Sequence, residues 1–194
     1  MKQKPGWVLP DLKEAQKRTT NTIDRIDTFT IPEVARMMGR GKTYFISTYG
    51  CQANERDSET LAGILDELGF TPNETAEGSD VIIINTCAIR QNAEEKVLGE
   101  IGNFKRLYRE NKDLIIGVCG CMAQEEGLVE TLLTKYPQVR LLFGTHNIQE
   151  LPSMLYSCMF EGKKVVKIYS KEGEVYENLP VHRFGTFKAW VNIM

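Results

Sequence analysis

Five cysteines are the residues best equipped for chemistry in this chain of 194 residues, and three of them share one kind of local setting. Cys51 stands in Thr48-Tyr49-Gly50-Cys51-Gln52-Ala53-Asn54, Cys87 in Asn85-Thr86-Cys87-Ala88, and Cys121 in Gly120-Cys121-Met122-Ala123-Gln124. Each follows a run with strand character and precedes a run with helical periodicity. A thiol in such a turn lies near a helix amino terminus, whose unpaired amides and dipole favour the thiolate, the form that binds metal. Gly50 and Gly120, beside two of the three, let the backbone approach closely. Taken singly, a cysteine is as readily a small, inert packing residue. Three in equivalent turns point to one shared thiolate site for a soft metal centre.

No pair of cysteines has the C-x-x-C spacing of a zinc knuckle. Three thiolates without a histidine or fourth cysteine in register suit an iron-sulfur cluster with one iron left open. Cys119 reads as structural and Cys158 as a packed helix or loop thiol. His146 and His182 stay open as ligands, although a lone histidine is more commonly solvated or hydrogen-bonded. Gln52, Asn54, Asn85 and Gln124 lie in the same turns and could hydrogen-bond the sulfurs. Capping the following helices is their competing role, and Asn54 stands where an N-cap is expected. Arg90 is open between an RNA or acid contact and a charge on a helix surface.

The elements that must position these residues alternate. Strands are expected at residues 44–48, 81–84, 114–118 and 139–143, each a β-branched, aromatic or wholly apolar run. Helices are expected at 54–68, where Leu61, Ile64, Leu65 and Leu68 form one face closed by Gly69, and at 88–108, 123–136 and 148–156. Strands that are apolar throughout and alternate with helices make a parallel sheet covered on both faces. The expectation is an α/β fold of the open doubly wound, flavodoxin-like kind. Ligands of such sheets bind outside the carboxyl ends of the strands, the edge where Cys51, Cys87 and Cys121 fall.

The chain divides into an extension (1–42), the sheet domain (43–160) and a β tail (161–194) with strands at 163–169 and 188–193. The extension holds nine Lys/Arg against five Asp/Glu, with Pro5, Pro10 and Pro32, and reads as a surface arm with short helices at 11–18 and 32–38. At 42% hydrophobic and 26% charged residues, the composition is that of a soluble globular protein. No apolar run nears the roughly 20 residues of a membrane span, and no signal-peptide core follows the amino terminus. A cytoplasmic protein is expected, and its odd cysteine count suits thiols or ligands better than disulfides. A net charge of -2 gives no global signature of nucleic-acid binding. A metal-free, flavodoxin-like binding or scaffold module is the competing class, set back by the lack of an acidic phospho-acceptor cluster or a Ser/Thr-rich phosphate loop after the first strand.

From Thr43 onward the sequence resembles the methylthiotransferase family, and within it the tRNA-modifying MiaB type. The resemblance rests on Thr48-Tyr49-Gly50-Cys51-Gln52 with Asn54, Asp57, Ser58 and Glu59, on Asn85-Thr86-Cys87-Ala88-Ile89-Arg90 with residues 92–97, on Gly120-Cys121-Met122-Ala123-Gln124, and on Phe143-Gly144-Thr145-His146-Asn147. It implies that Cys51, Cys87 and Cys121 bind an auxiliary 4Fe-4S cluster that handles the sulfur to be inserted. It further implies a radical SAM domain with a second 4Fe-4S cluster and S-adenosylmethionine, acting on isopentenyl-adenosine beside the anticodon of tRNA. Tyr-Gly-Cys-Gln favours this branch over the one acting on a ribosomal protein, which usually reads Leu-Gly-Cys-Pro. Ala53 replaces the family's usual methionine, a change expected to leave the cluster in place.

The radical SAM signature C-x-x-x-C-x-x-C is absent from these residues, although 187–194 resembles the strand that precedes it. The resemblance therefore implies an amino-terminal domain, ending inside the first strand of the radical SAM domain, monomeric and inactive by itself. The family's carboxyl-terminal RNA-binding module is missing from the chain as well. Loss of the cluster in air is expected to leave an apo domain with a cysteine-cysteine bridge.

Overall fold

A computed structural model describes residues 7–8, 25–87, 93–168, 174–185 and 189–190. The expected helix at 11–18, the opening residues of the 88–108 helix together with Arg90, and most of the 188–193 strand lie outside these residues.

The centre of the molecule is a seven-stranded sheet in which every pair is parallel. Its inner strands are β3 (Thr43–Tyr49), β5 (Val81–Thr86), β6 (Ile115–Gly120), β7 (Val139–Phe143) and β8 (Lys164–Lys167). Two-residue strands close the edges, β4 (Thr71–Pro72) beside β3 and β1 (Trp7–Val8) beside β8. The order β4-β3-β5-β6-β7 is the 2-1-3-4-5 order of flavodoxin-like folds, so the expected fold class is the observed one.

Alternation along each strand splits the core into two. On one face Ile82, Ile84, Ile116, Val118 and Leu142 pack against helices α2 (Ala93–Glu110) and α3 (Glu126–Lys135). On the other, Val81, Ile83, Ile115 and Leu141 meet α1 (Gln52–Glu67) and α4 (Leu151–Phe160). Strands buried on both sides are why these runs read as continuously apolar.

Several expected elements are shorter or shifted. Residues 32–38 hold only the 3-10 turn Glu33–Ala35, because Pro32 offers no capping acceptor and glycines follow at 39 and 41. The helix expected from 123 begins at Glu126, since Cys121–Gln124 winds as a 3-10 turn that ends in the extended Glu125. The helix expected at 148–156 starts at Leu151, where Pro152 suits the first turn, after the 3-10 turn Thr145–Glu150. The 163–169 strand contracts to β8. A second, two-stranded sheet pairs β2 (Arg25–Thr28) with β9 (Glu174–Glu177), neither of which the sequence patterns suggest.

Candidate metal centre

Register gathers the three cysteines. Tyr49 pairs with Thr86, and Thr86 pairs with Gly120, so the last residues of β3, β5 and β6 stand in one row. Cys87 and Cys121 are the next residues of their chains, and Cys51 comes two after Tyr49. With strands about 4.8 Å apart, a row three strands wide spans only about 10 Å. The Cys87 amide closes the row by donating to the Tyr49 carbonyl oxygen at 2.9 Å. From β3 the chain enters α1 on one face, whereas α2, after β5, lies on the other. The crevice opened by that divergence is where open α/β sheets receive ligands.

Each sulfur has its own surroundings. Cys51 is the N-cap of α1, a position the sequence suggests for Asn54; Asn54 instead completes the cap from the third helical position. Its Oδ1 accepts the Cys51 amide at 3.2 Å and lies 3.5 Å from Sγ, while the Cys51 sulfur accepts the Asn54 backbone N–H. Hydrogen bonds from the Asn54 and Ala53 amides, joined by one from Cys87, hold the exposed Cys51 thiol below the ordinary range. Cys121 goes the other way. Burial raises it first, followed by the negative charges of Cys87, Asp57 and Cys51. The expectation that every turn favours its thiolate thus holds for Cys51 and fails for Cys121, because burial, with the neighbouring anions after it, outweighs the local amide.

That repulsion speaks to the donor set. Thiolates close enough to oppose one another's ionisation form a site that a cationic iron centre would relieve, and thiolate is the ligand iron-sulfur clusters use. Among the described residues no three His, Cys, Asp or Glu side chains converge to hold a single metal ion. A cluster asks for something different, because its cysteines bind separate irons and stand further apart than ligands of one ion. By the chemistry of its donors the rim fits such a group.

Beneath the rim lies a polar lock. Asn54 Nδ2 donates to Asn85 Oδ1 at 3.0 Å and to the Thr86 carbonyl at 3.3 Å, and Asn85 Nδ2 returns bonds to the Asn54 carbonyl at 2.9 Å and Ser58 Oγ at 3.0 Å. Ser58 Oγ in turn lies 2.8 Å from Thr48 Oγ1. Asn54 and Asn85 are each 1% exposed, so these bonds replace water entirely. Gly120 completes the packing. Its φ of +101° suits glycine, and a Cβ there would stand 2.1 Å from the Thr86 carbonyl oxygen.

The remaining candidates are dispersed. Gln52 is exposed in the first turn of α1, and the Gln124 side chain lies outside the described residues. Cys119 is buried within β6, its thiol raised by burial and then by Asp57 and Cys121. Cys158 is buried in α4 against the Arg140 carbonyl, and burial pushes it up to about 11. His146 is exposed. His182 bonds Asp66 at 2.5 Å, at the far end of α1, about 20 Å along the helix from Cys51. Asp57, named in the sequence only as part of the family motif, is a neighbour of the thiols that the sequence reading gave no role. It is buried, paired with Arg56 at 2.5 Å, and its charge reaches Cys121 and Cys119. Its spacing of three from Asn54, on the face carrying Ser58, is the signal that could have found it.

Comparison with known proteins adds sequence relationships. A profile of the family described as Uncharacterized protein family UPF0004 matches residues 43–144. The tRNA-2-methylthio-N(6)-dimethylallyladenosine synthase of Staphylococcus saprophyticus is 54% identical over 185 residues, which cover 95% of this chain and 36% of that protein. The synthase of the same name from Geobacillus thermodenitrificans is 52% identical over 185 residues, covering 95% and 35%. That of Bacillus licheniformis is 51% identical over 188 residues, covering 97% and 37%. The chain spans little more than a third of the length of these curated relatives.

Proposed function

The chain belongs to the family described as UPF0004, and on that premise we propose that it is the amino-terminal domain of a tRNA-2-methylthio-N(6)-dimethylallyladenosine synthase, with Cys51, Cys87 and Cys121 as ligands of an auxiliary 4Fe-4S cluster. The observation that carries this reading is the row of Tyr49, Thr86 and Gly120, which delivers the three thiols to one rim at the divergence of α1 and α2.

Bound there, the cluster would supply sulfur for methylthiolation of isopentenyl-adenosine beside the anticodon of tRNA. The chain's own residues prepare the place. Asn54 orients Cys51 through its amide and sulfur, Asn85 anchors Asn54 to β5, and backbone amides at the start of α1 keep Cys51 ready to ligate. The substrate radical would come from a radical SAM domain with its own 4Fe-4S cluster and S-adenosylmethionine. No C-x-x-x-C-x-x-C occurs in these residues, so on this reading they do not methylthiolate tRNA unaided. The whole enzyme would act as a cytoplasmic monomer. No helix among the described residues is long and apolar enough to cross a membrane.

Anaerobic reconstitution tests the assignment. The expected result is about four irons and four labile sulfides per chain, with a cluster signal in electron paramagnetic resonance after reduction. Cys87→Ala should lose that stoichiometry. An unchanged cluster in the variant rejects the assignment, and a protein that takes up no iron returns the metal-free binding module to first place.

A further inference from the structure

The outer side of α1, remote from the thiols, is built to receive another part of the same chain. Glu59 sits in mid-helix yet is only 3% exposed, an expensive position for a carboxylate unless it is paired. Its hydrogen bonds to the described tail run to residues 182–184. Its carbonyl accepts the His182 amide at 2.9 Å, Oε2 accepts Arg183 Nη1 at 2.8 Å, and Oε1 accepts the Phe184 amide at 3.4 Å. Further along the helix Asp66 divides its oxygens, Oδ2 to His182 Nδ1 at 2.5 Å and Oδ1 to the Tyr44 hydroxyl at 2.9 Å. Between the two acids lies Gly63, where a Cβ would stand 2.5 Å from the Pro180 carbonyl. The tail backbone can cross α1 there because that helix position has no side chain.

The amino-terminal extension holds the other side of the same segment. β2 pairs with β9 over four residues, and the Phe29 amide continues the ladder to the Glu177 carbonyl at 3.0 Å. Phe29, Ile31, Ala35 and Met38 then pack with Leu61, Leu65 and Leu68 of α1, in the core that also takes Leu179. The Gly39 amide bonds the Leu68 carbonyl at 2.8 Å and fixes the extension to the end of the helix. Beneath the tail a cavity of about 250 Å³ opens beside Asp57, with Leu179, Val181 and Arg183 among its walls.

We propose that residues 25–40 and 174–184 form an intramolecular clamp, in which the extension holds the outgoing tail against Glu59, Gly63 and Asp66 of α1 and so fixes the direction in which the chain leaves the thiol-bearing domain. The helix that positions Cys51 at one end thereby sets the course of the following chain along its length. The clamp stands whether or not iron binds, and its test requires none.

Amide hydrogen exchange on the full chain reads the coupling, with Gly63→Ala and Glu59→Gln as separate variants. Gly63→Ala improves intrinsic helix propensity, so any loosening reflects the displaced tail rather than a weaker helix. Each variant should speed exchange at 181–184 by about tenfold. It should also speed exchange at 25–29, which neither substitution touches, while the amides of β5 and β6 keep their protection. Faster exchange in the tail with an unchanged extension shows two independent contacts and overturns the clamp, as does a tail equally protected in both variants. Removal of residues 1–28 gives the reciprocal measurement: a clamp releases 174–184, and a tail that remains protected rejects it.

Discussion

Asn54 and Asn85 exchange hydrogen bonds across the top of the sheet, one from the first turn of α1 and the other from the end of β5, at 3.0 and 2.9 Å. Two buried amides bonded to one another and to Ser58 and Thr86 form a linked set: without the Asn54 side chain Asn85 Oδ1 loses its donor, and without the Asn85 side chain Asn54 Nδ2 keeps only the Thr86 carbonyl. Asn54→Ala and Asn85→Ala should each lower stability by about 2 to 3 kcal/mol, the order expected for stranding a buried polar group. The double variant should cost clearly less than the sum of the two. Urea unfolding with an unchanged m-value measures both, and strict additivity would show that the pair does not act as a unit.

The tight turn before Cys121 leads to a contrast between glycines. Gly120→Ala drives a methyl group into the Thr86 carbonyl at a positive φ and should cost about 3 kcal/mol or more. Gly99, inside α2, has open space where a methyl group would stand, with no neighbouring atom within 4 Å, and Gly99→Ala should gain about 0.5 to 1 kcal/mol from helix propensity. Melting curves recorded in parallel decide, and a Gly120→Ala protein as stable as the parent would contradict the packing of this turn.

The thiols of the iron-free chain should separate by reactivity. Cys51 is exposed and held below the ordinary range by helix amides, whereas Cys158 is buried and raised to about 11. A lowered value means more thiolate at a given pH, so Cys51 should reach its half-maximal rate with iodoacetamide at a lower pH than an unperturbed thiol. Cys158 should resist until denaturant is added. Mass-spectrometric mapping across a pH series checks the order, and equal labelling of the two would refute it.

Glu100 carries a pH dependence of another kind. Burial raises its carboxyl above the usual range, against hydrogen bonds from Tyr49 and from Ser47, the latter at 3.1 Å. A raised carboxyl binds its proton more readily folded than unfolded. Stability from this group is therefore complete below the unfolded pKa of about 4.3 and falls as pH rises through the folded value. Glu100→Gln keeps an acceptor for Ser47 without the buried charge. It should melt higher than the parent at pH 7, with the difference vanishing toward pH 4. A parent that melts higher at pH 7 would show that the hydrogen bonds outweigh the burial.

The sheet was readable because Val81, Ile82, Ile83 and Ile84 leave no polar face, and because Leu61, Ile64, Leu65 and Leu68 recur at helical intervals. β4 was not, since two residues, one a proline, carry no periodicity. Nor was the pairing of β2 with β9, whose sequences Arg-Ile-Asp-Thr and Glu-Val-Tyr-Glu are polar and lie at opposite ends of the chain. At the rim, the turns holding Cys51, Cys87 and Cys121 followed from strand ends alone. The bond between Asn54 and Asn85 depends on the rotation of α1 against β5, and the opposed behaviour of Cys51 and Cys121 on how deeply each thiol is buried and which amides and anions become its neighbours. Neither relation is carried by residue type or spacing.

The ladder between β2 and β9 also sets an order of events. Nearly the whole described chain lies between its partners, so its formation closes a very long loop and returns only a few hydrogen bonds. Such a contact is a late step of folding and an early one of unfolding, after the sheet has consolidated through its sequential crossovers. A nascent chain would join β3 through β8 before it fastens residues 25–28 to 174–177.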